Sequence, residues 1–172
     1  MPRTLYDNNG WKILLEESLL PDGRKAQCTR VHRSDAVHVL AFPSSETILL
    51  LREYRAFHRE WRWMLPSGLA DKEHDIAVAA QRELQEETGY RAKMLRHYFS
   101  TQNSEHIVMT NHIFIASDLE SDPLEQDEHE LIEVHEVPIK EAVHWVSENR
   151  YEKHTPSAYA LLRYGAEHGL LA

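Results

Sequence analysis

The chain has 172 residues, of which 42% are hydrophobic, and a formal net charge of −9 at pH 7. This length suits a single domain, residues 1–172, in which we expect an extension, 1–35, and a core, 36–172. Apolar runs are far shorter than the ~20 residues of a membrane span, and a signal peptide is lacking, so we expect a cytoplasmic protein without a membrane partner. The acidic charge and the lack of basic runs argue against nucleic acid as a partner. A single cysteine, Cys28, excludes an internal disulfide.

The first third of the chain is predicted to consist of strands. Two of them, 11–17 and 25–33, flank the turn sequence Pro21-Asp22-Gly23, which supplies the preset φ and the positive φ of a tight turn. They form the predicted N-terminal antiparallel hairpin. Two apolar strands rich in β-branched residues, 36–42 and 47–52, follow.

Arginines and aromatic side chains are mixed between Arg52 and Gly68, ahead of a Pro-Ser-Gly turn. Such a mixture can stack on a nucleobase and bind phosphate. The chemistry of its indole makes Trp61 the candidate that stacks on a base. The alternative is an ordinary strand and loop whose arginines extend to solvent.

A helix is predicted from Asp75 to Thr88, because no glycine or proline interrupts a segment rich in Ala, Leu, Gln, Glu and Arg. Gly89 follows the helix, at the position where a left-handed cap residue is needed.

Three carboxylates share one face of this helix, because Glu83, Glu86 and Glu87 continue the apolar stripe that starts at Ile76. Two carboxylates ~4 Å apart repel by roughly 4 kcal/mol, so a cation is expected among them. Mg²⁺ or Mn²⁺ suits several fixed oxygens and substrate phosphates. The alternative is a solvated acidic face.

The second half of the chain returns to strands and ends in helices. An acidic, turn-like segment is predicted at 118–130. Strands are predicted at 90–100, 106–117 and 131–137, and helices at 138–148 and 157–168.

The segment from Gly68 to Tyr90 resembles the Nudix box, G-x5-E-x7-R-E-U-x-E-E-x-G-U, in which U is a bulky apolar residue. The matching positions are Gly68, Arg82, Glu83, Leu84, Glu86, Glu87, Gly89 and Tyr90. The resemblance implies the α/β/α sandwich of the Nudix hydrolases, an α+β fold with a mixed sheet, and Mg²⁺ or Mn²⁺ held by the three box glutamates.

One box position departs from this pattern. The first glutamate of the box belongs at position 74, where this chain has His74, and Glu73 stands one residue early. In the family, that glutamate supports the loop and the box arginine more than it holds the metal. The departure therefore bears on loop geometry and activity more than on metal binding. Either Glu73 substitutes after a local shift, or His74 is tolerated.

The residues before the box resemble the ADP-ribose pyrophosphatase branch of this family, through LLLREYR and the W-x-L-P-S-G motif that ends at Gly68. The resemblance implies that Arg55 contacts substrate phosphates and that the carbonyl of Ser67 binds a metal. It also implies a homodimer in which the N-terminal hairpin is part of the interface.

Two loops complete the comparison with this branch. The order Asp127-Glu128-His129-Glu130 is similar to the loop that supplies the catalytic base, which implies Glu128 as the base and Glu130 as an additional metal ligand. The Ser100 to Ser104 loop lacks the Pro-Gly found in relatives, which bears on the choice of substrate.

These observations predict hydrolysis of a nucleoside diphosphate linked to another group, with ADP-ribose giving AMP and ribose 5-phosphate as the first candidate. Glu83, Glu86 and Glu87 would hold the metal, and Glu128 would take a proton from the attacking water. Other nucleotide sugars, such as GDP-mannose, are the alternative substrates. A protein that binds nucleotide sugars without catalysis is the alternative function.

Overall fold

The computed structural model describes residues 2–102, 104–151 and 154–171, within which eleven strands and three helices form. The strands are β1 (Arg3–Asn8), β2 (Trp11–Leu19), β3 (Lys25–Arg33), β4 (Ala36–Ala41), β5 (Thr47–Arg55), β6 (Glu60–Met64), β7 (Ser67–Leu69), β8 (Tyr90–Gln102), β9 (Ile107–Val108), β10 (Thr110–Ser121) and β11 (Ile132–Pro138). The helices are α1 (Ile76–Thr88), α2 (Ile139–Ser147) and α3 (Thr155–Glu167). In the loop that differs from relatives, Asn103 lies outside the described residues.

The strands form two mixed sheets. The central sheet has the order β11-β5-β4-β10-β8, with β6 paired to β5 and β7 paired to β4. Its strands pair antiparallel except β10 and β4, which run parallel. The N-terminal sheet has the order β1-β2-β3-β9, and β9 runs parallel to β3. A short strand from the second half of the chain therefore extends the N-terminal sheet.

Helices cover both faces of the central sheet, because successive side chains of a strand point to opposite faces. Val39 and Leu49 pack with Leu84 of α1, whereas the next residues, Leu40 and Leu50, belong to the core cluster that contains α2 and α3. The central strands are apolar on both faces for this reason. The predicted α/β/α sandwich with a mixed sheet is confirmed.

Both ends of α1 carry the caps that the sequence indicates. The Asp75 carboxylate accepts a hydrogen bond from the backbone N–H of Ala77 at 2.8 Å, as an N-cap does. Gly89 ends the helix with φ of 77° and donates its N–H to the Gln85 carbonyl at 3.0 Å. The helix thus begins and ends where predicted, and the phase of its acidic face is fixed.

Several segments differ from the prediction. The strand predicted at 106–117 is divided into β9 and β10, which lie in different sheets. The predicted hairpin is part of a larger antiparallel arrangement, because β2 pairs with β1 as well as with β3. The strand predicted to end at Ser117 continues to Ser121, since β8 offers it hydrogen-bond partners as far as Tyr90. Charge alone made residues 118–121 look like a turn.

No helix within the described ranges is long and apolar enough to cross a membrane.

Candidate active site

A cavity of about 610 Å³ is lined by β4, β5, β7 and α1, by the acidic loop before β11 and by the N-terminal end of α3. Most of the predicted site residues lie in its wall. They are Arg55, Ser67, Gly68, Arg82, Glu83, Glu87 and Glu130. Residues far apart in the chain are therefore brought to one place by the central sheet and α1.

Gly68 is required by the close approach of Glu83. A Cβ added at residue 68 would overlap the Glu83 carboxyl group. Because residue 68 has no side chain, the Glu83 carboxylate of α1 can lie against β7.

Arg82 is the positive group that the structure places among the carboxylates. Its guanidinium forms ion pairs with Glu73 at 2.6 Å, Glu83 at 2.8 Å and Glu86 at 2.6 Å. It also donates to the carbonyl of Leu69 at 3.2 Å, which connects β7 to the helix. The arginine thus connects strand, loop and helix.

The departure from the box at position 74 is compensated by its neighbour. Glu73 bonds to Arg82 through both carboxylate oxygens, at 2.6 and 3.4 Å, whereas His74 is exposed. Of the two alternatives, the structure supports the local shift, with Glu73 reaching the box arginine.

Glu87 and Glu83 are buried carboxylates. Glu87 is 7% exposed and accepts a hydrogen bond from the backbone N–H of Ser67 at 2.7 Å. Burial raises the pKa of Glu87 well above its ordinary value, and burial raises that of Glu83 to about 7 although Arg82 opposes the shift. Negative charge on Glu87 is therefore unfavourable, and Arg82 only partly offsets the same cost for Glu83.

Glu53 and Arg55 line the same cavity from β5. Arg55 Nη2 lies 2.9 Å from Glu53 Oε2, and Glu53 is buried. Burial raises the pKa of both Glu53 and Glu130, and Arg55 partly opposes each shift. Arg55 thus lies in the cavity wall, and its contact with substrate phosphates stays a prediction.

Besides Gly89, which caps α1, three predicted site residues lie outside the cavity wall. Glu86 bonds to Arg82 beside the cavity. The Glu128 side chain is 86% exposed and lies 3.6 Å from His129. Trp61 packs edge-on to Tyr54, with ring centroids 5.6 Å apart. The roles predicted for these residues stay predictions.

The position of Trp61 follows from strand register. Tyr54 is its partner in the β5–β6 pairing, so the two rings share one face of the sheet. Glu53 and Arg55 occupy the alternate positions of β5 and line the cavity.

The polar residues of the cavity wall that the sequence analysis did not select include Glu53, His38, Asn111 and His154. A signal was present for two of them, because His38 interrupts the apolar strand β4 and Glu53 follows an apolar run in β5. A single polar residue in a buried strand is the pattern that would have identified them.

A divalent cation fits the carboxylates of this cavity, although no three His, Cys, Asp or Glu side chains of the described ranges form a ready-made metal cage. Glu83, Glu87 and Glu130 line one cavity, and burial raises the pKa of each. A cation would stabilise their charged forms. Mg²⁺ needs no complete protein cage, since it keeps waters and takes oxygens from substrate phosphates.

Comparisons with known proteins agree with this geometry. A model of the NUDIX domain matches residues 32–162. The chain is 32% identical over 155 residues to the ADP-ribose pyrophosphatase of Bacillus subtilis (strain 168), covering 87% of this chain and 82% of that protein. It is 30% identical over 151 residues to the CMP-5'-(N-acetyl-N-hydroxy-3-aminopropyl)phosphonate hydrolase of Streptomyces rubellomurinus, covering 86% of this chain and 72% of that protein.

A solved structure shows the same fold. The crystal structure of an ADP compounds hydrolase matches with a TM-score of 0.77 at 22% identity, covering 99% of this chain and 97% of that chain. At this identity the likeness concerns the fold alone.

Replacing Glu73 should reveal its support of Arg82. We expect Glu73→Gln to lower the free energy of unfolding by about 1–3 kcal/mol, because a charged hydrogen bond to the partly buried guanidinium is lost. The matched control, His74→Gln, should change it by less than about 0.5 kcal/mol, since His74 is exposed. Urea unfolding of both variants measures this. Equal effects would mean that Glu73 does not replace the missing box glutamate.

Glu87 should make the metal-free protein less stable as the pH rises. Its raised folded-state pKa means that the folded state holds its proton more tightly than the unfolded state, so stability falls from the ordinary glutamate pKa up to the raised value. Glutamine mimics the protonated acid. In EDTA, Glu87→Gln should therefore unfold at higher urea than the parent near pH 8, with a smaller difference near pH 5. A parent that is more stable at both pH values would contradict the burial cost.

Proposed function

The chain belongs to the Nudix hydrolase family, and from this premise we propose that it hydrolyses the diphosphate bridge of ADP-ribose to AMP and ribose 5-phosphate, with Mg²⁺ as the preferred cation and Mn²⁺ as a substitute. The observation that carries the proposal is the pair of buried carboxylates, Glu83 and Glu87, in the wall of a cavity that also holds Arg55. An acidic cavity that receives a diphosphate requires cations, and these residues provide the place for them.

The relatives support the substrate class. The Bacillus subtilis relative is named for ADP-ribose, and the Streptomyces rubellomurinus relative is named for a CMP-linked phosphonate. Both names describe a nucleotide joined through phosphorus to a second group. ADP-ribose is our first candidate because the ADP-ribose pyrophosphatase shares 32% identity over most of both chains.

The carboxylates would hold the cation at the helix. Glu83, Glu86, Glu87 and the Ser67 carbonyl are the proposed ligands. When bound, the cation would neutralise diphosphate oxygens and lower the pKa of a water molecule. Arg55 would add positive charge beside the transferred phosphoryl group. Arg82 keeps Glu83 and Glu86 oriented through its two ion pairs.

Glu130 is better placed than Glu128 to take the proton of the attacking water. Its carboxylate lines the cavity, whereas the Glu128 side chain is 86% exposed. Burial, assisted by Asp127, raises the pKa of Glu130, which makes it a stronger base than an exposed glutamate. Its assignment as the base would replace its predicted role as an additional metal ligand.

The homodimer is part of this proposal. Apolar side chains exposed on the N-terminal sheet, among them Leu5, Tyr6 and Trp11, would be covered in it. Sedimentation at about twice the chain mass is expected, and a monomer at all concentrations would exclude it.

Hydrolysis should depend on a divalent cation and on the buried carboxylates. With Mg²⁺, we expect the parent to cleave ADP-ribose faster than GDP-mannose and ATP, and EDTA should abolish turnover. Glu83→Gln should lower kcat by roughly 100-fold or more, because several kcal/mol of charge stabilisation depend on the cation. Glu141→Gln, on the exposed surface of α2, is the matched control. A coupled phosphatase assay measures the products, and a uniformly inactive parent would favour a nucleotide-sugar-binding protein.

The two loop glutamates can be separated by mutation. Glu130→Gln should lower kcat by about 100-fold or more, the scale of general base catalysis, and Glu128→Gln should leave it within about threefold. Isothermal titration with Mn²⁺ reports whether either variant loses metal affinity instead. The reverse order of kcat values would restore Glu128 as the base.

A further inference from the structure

The cavity has an uncharged, hydrogen-bonding part that the proposed chemistry does not use. His38 on β4, Asn111 on β10 and His154 before α3 line the same cavity as the box glutamates. They come from three separate elements, and none of them belongs to the Nudix box. Their convergence calls for an explanation other than metal binding.

The orientation of His38 is fixed by Asn111. The Nε2 atom of His38 lies 3.0 Å from Asn111 Oδ1 in a buried contact. An amide oxygen only accepts hydrogen bonds, so Nε2 carries the proton and donates. Burial lowers the pKa of His38 to about 4, and the ring is therefore neutral near pH 7.

The other nitrogen of His38 is left as an acceptor. In a neutral ring whose Nε2 is protonated, Nδ1 has a lone pair. His38 is only 4% exposed, and its Nδ1 atom has no hydrogen-bond partner among the described residues. A buried polar atom without a partner is unfavourable for folding, and a hydrogen-bond donor on a ligand would remove this cost.

His154 extends this neutral surface. Its ring lies edge-on to His38, with centroids 5.5 Å apart, and its Nδ1 is 2.6 Å from Ser157 Oγ. Burial, and then the neighbouring His38 and arginines, lowers its pKa to about 3. A second neutral imidazole thus lies beside the first.

We propose that His38, oriented by Asn111, accepts a hydrogen bond through Nδ1 from a hydroxyl of the sugar joined to the diphosphate. This rests on the proposed function, because the diphosphate must lie at the box carboxylates for its sugar to reach this part of the cavity. A hydroxyl can donate to the lone pair, whereas an ionised phosphate oxygen cannot. His38 therefore selects a hydroxylated group over a terminal phosphate at this position.

The test compares two diphosphates that differ in the group beyond the bridge. ADP-ribose carries sugar hydroxyls there, and the β-methyl ester of ADP carries none. His38→Leu removes the acceptor while keeping an apolar side chain. We expect kcat/KM for ADP-ribose to fall roughly fivefold to tenfold, the scale of one hydrogen bond, through KM rather than kcat, with no change for the methyl ester.

Two further variants define the effect. His38→Asn should recover most of the ADP-ribose KM, because Asn Oδ1 can stand near the position of His Nδ1. His144→Leu, on the exposed surface of α2, is the matched control. Leucine at position 38 also removes the Nε2–H that donates to the buried Asn111 Oδ1, so the melting temperature of His38→Leu should fall, and KM is measured where circular dichroism shows the variant to be folded.

The outcomes separate this proposal from the proposed function. A His38→Leu variant with the parent KM for ADP-ribose, or with equal losses for both esters, would overturn the role of His38 while hydrolysis itself stands. A parent that cleaves neither ester would overturn both. Should His38→Leu not fold, the ¹⁵N resonance of His38 Nδ1 in the parent decides, since α,β-methylene ADP-ribose must shift it upfield for the proposal to hold.

Discussion

The burial of carboxylates near the C-terminal end of α1 is the constraint on which the site depends. Glu83 and Glu87 lose hydration, and neighbouring carboxylates repel their charges. Both effects oppose ionisation, which is why the pKa values of both rise. The fold offsets this cost with Arg82 and the N–H of Ser67. The pKa values of Glu83 and Glu87 stay raised despite these contacts, so a bound cation would stabilise their charged forms further.

The burial of these carboxylates also explains residues around them. Glycine at position 68 lets β7 approach the Glu83 carboxylate, and the capped ends of α1 fix which side chains face the sheet. Glu73 reaches Arg82 in place of a residue at position 74, so the ion pair is kept although the sequence position is not. The chain therefore preserves an interaction rather than a spacing.

Much of this could be predicted from the sequence, because helix period and caps are local. Asp75, Gly89 and the acidic face of α1 follow from residues within four positions of one another. Trp61 could not be placed in this way, since its face depends on the pairing of β5 with β6. Glu128 and Glu130 differ by two positions in a loop without a period, so no pattern distinguishes the exposed residue from the one in the cavity wall. His38 and Asn111 meet only because β4 and β10 pair in parallel, a long-range contact that no local pattern contains.

The two parts of the cavity lack different partners: the carboxylates lack positive charge, and His38 lacks a hydrogen-bond donor. The carboxylates of α1 are buried with too little positive charge, whereas His38 is buried with an unused lone pair. A cation satisfies the first deficit and a hydrogen-bond donor the second, and one molecule that joins a metal-bound diphosphate to a hydroxylated ring supplies both. A nucleoside triphosphate can bring a cation to the carboxylates. Its terminal phosphate has a last pKa of about 6, so at neutral pH most of it has no proton to donate. Under the roles proposed for the carboxylates and for His38, a sugar-linked diphosphate suits both parts of the cavity better than a triphosphate.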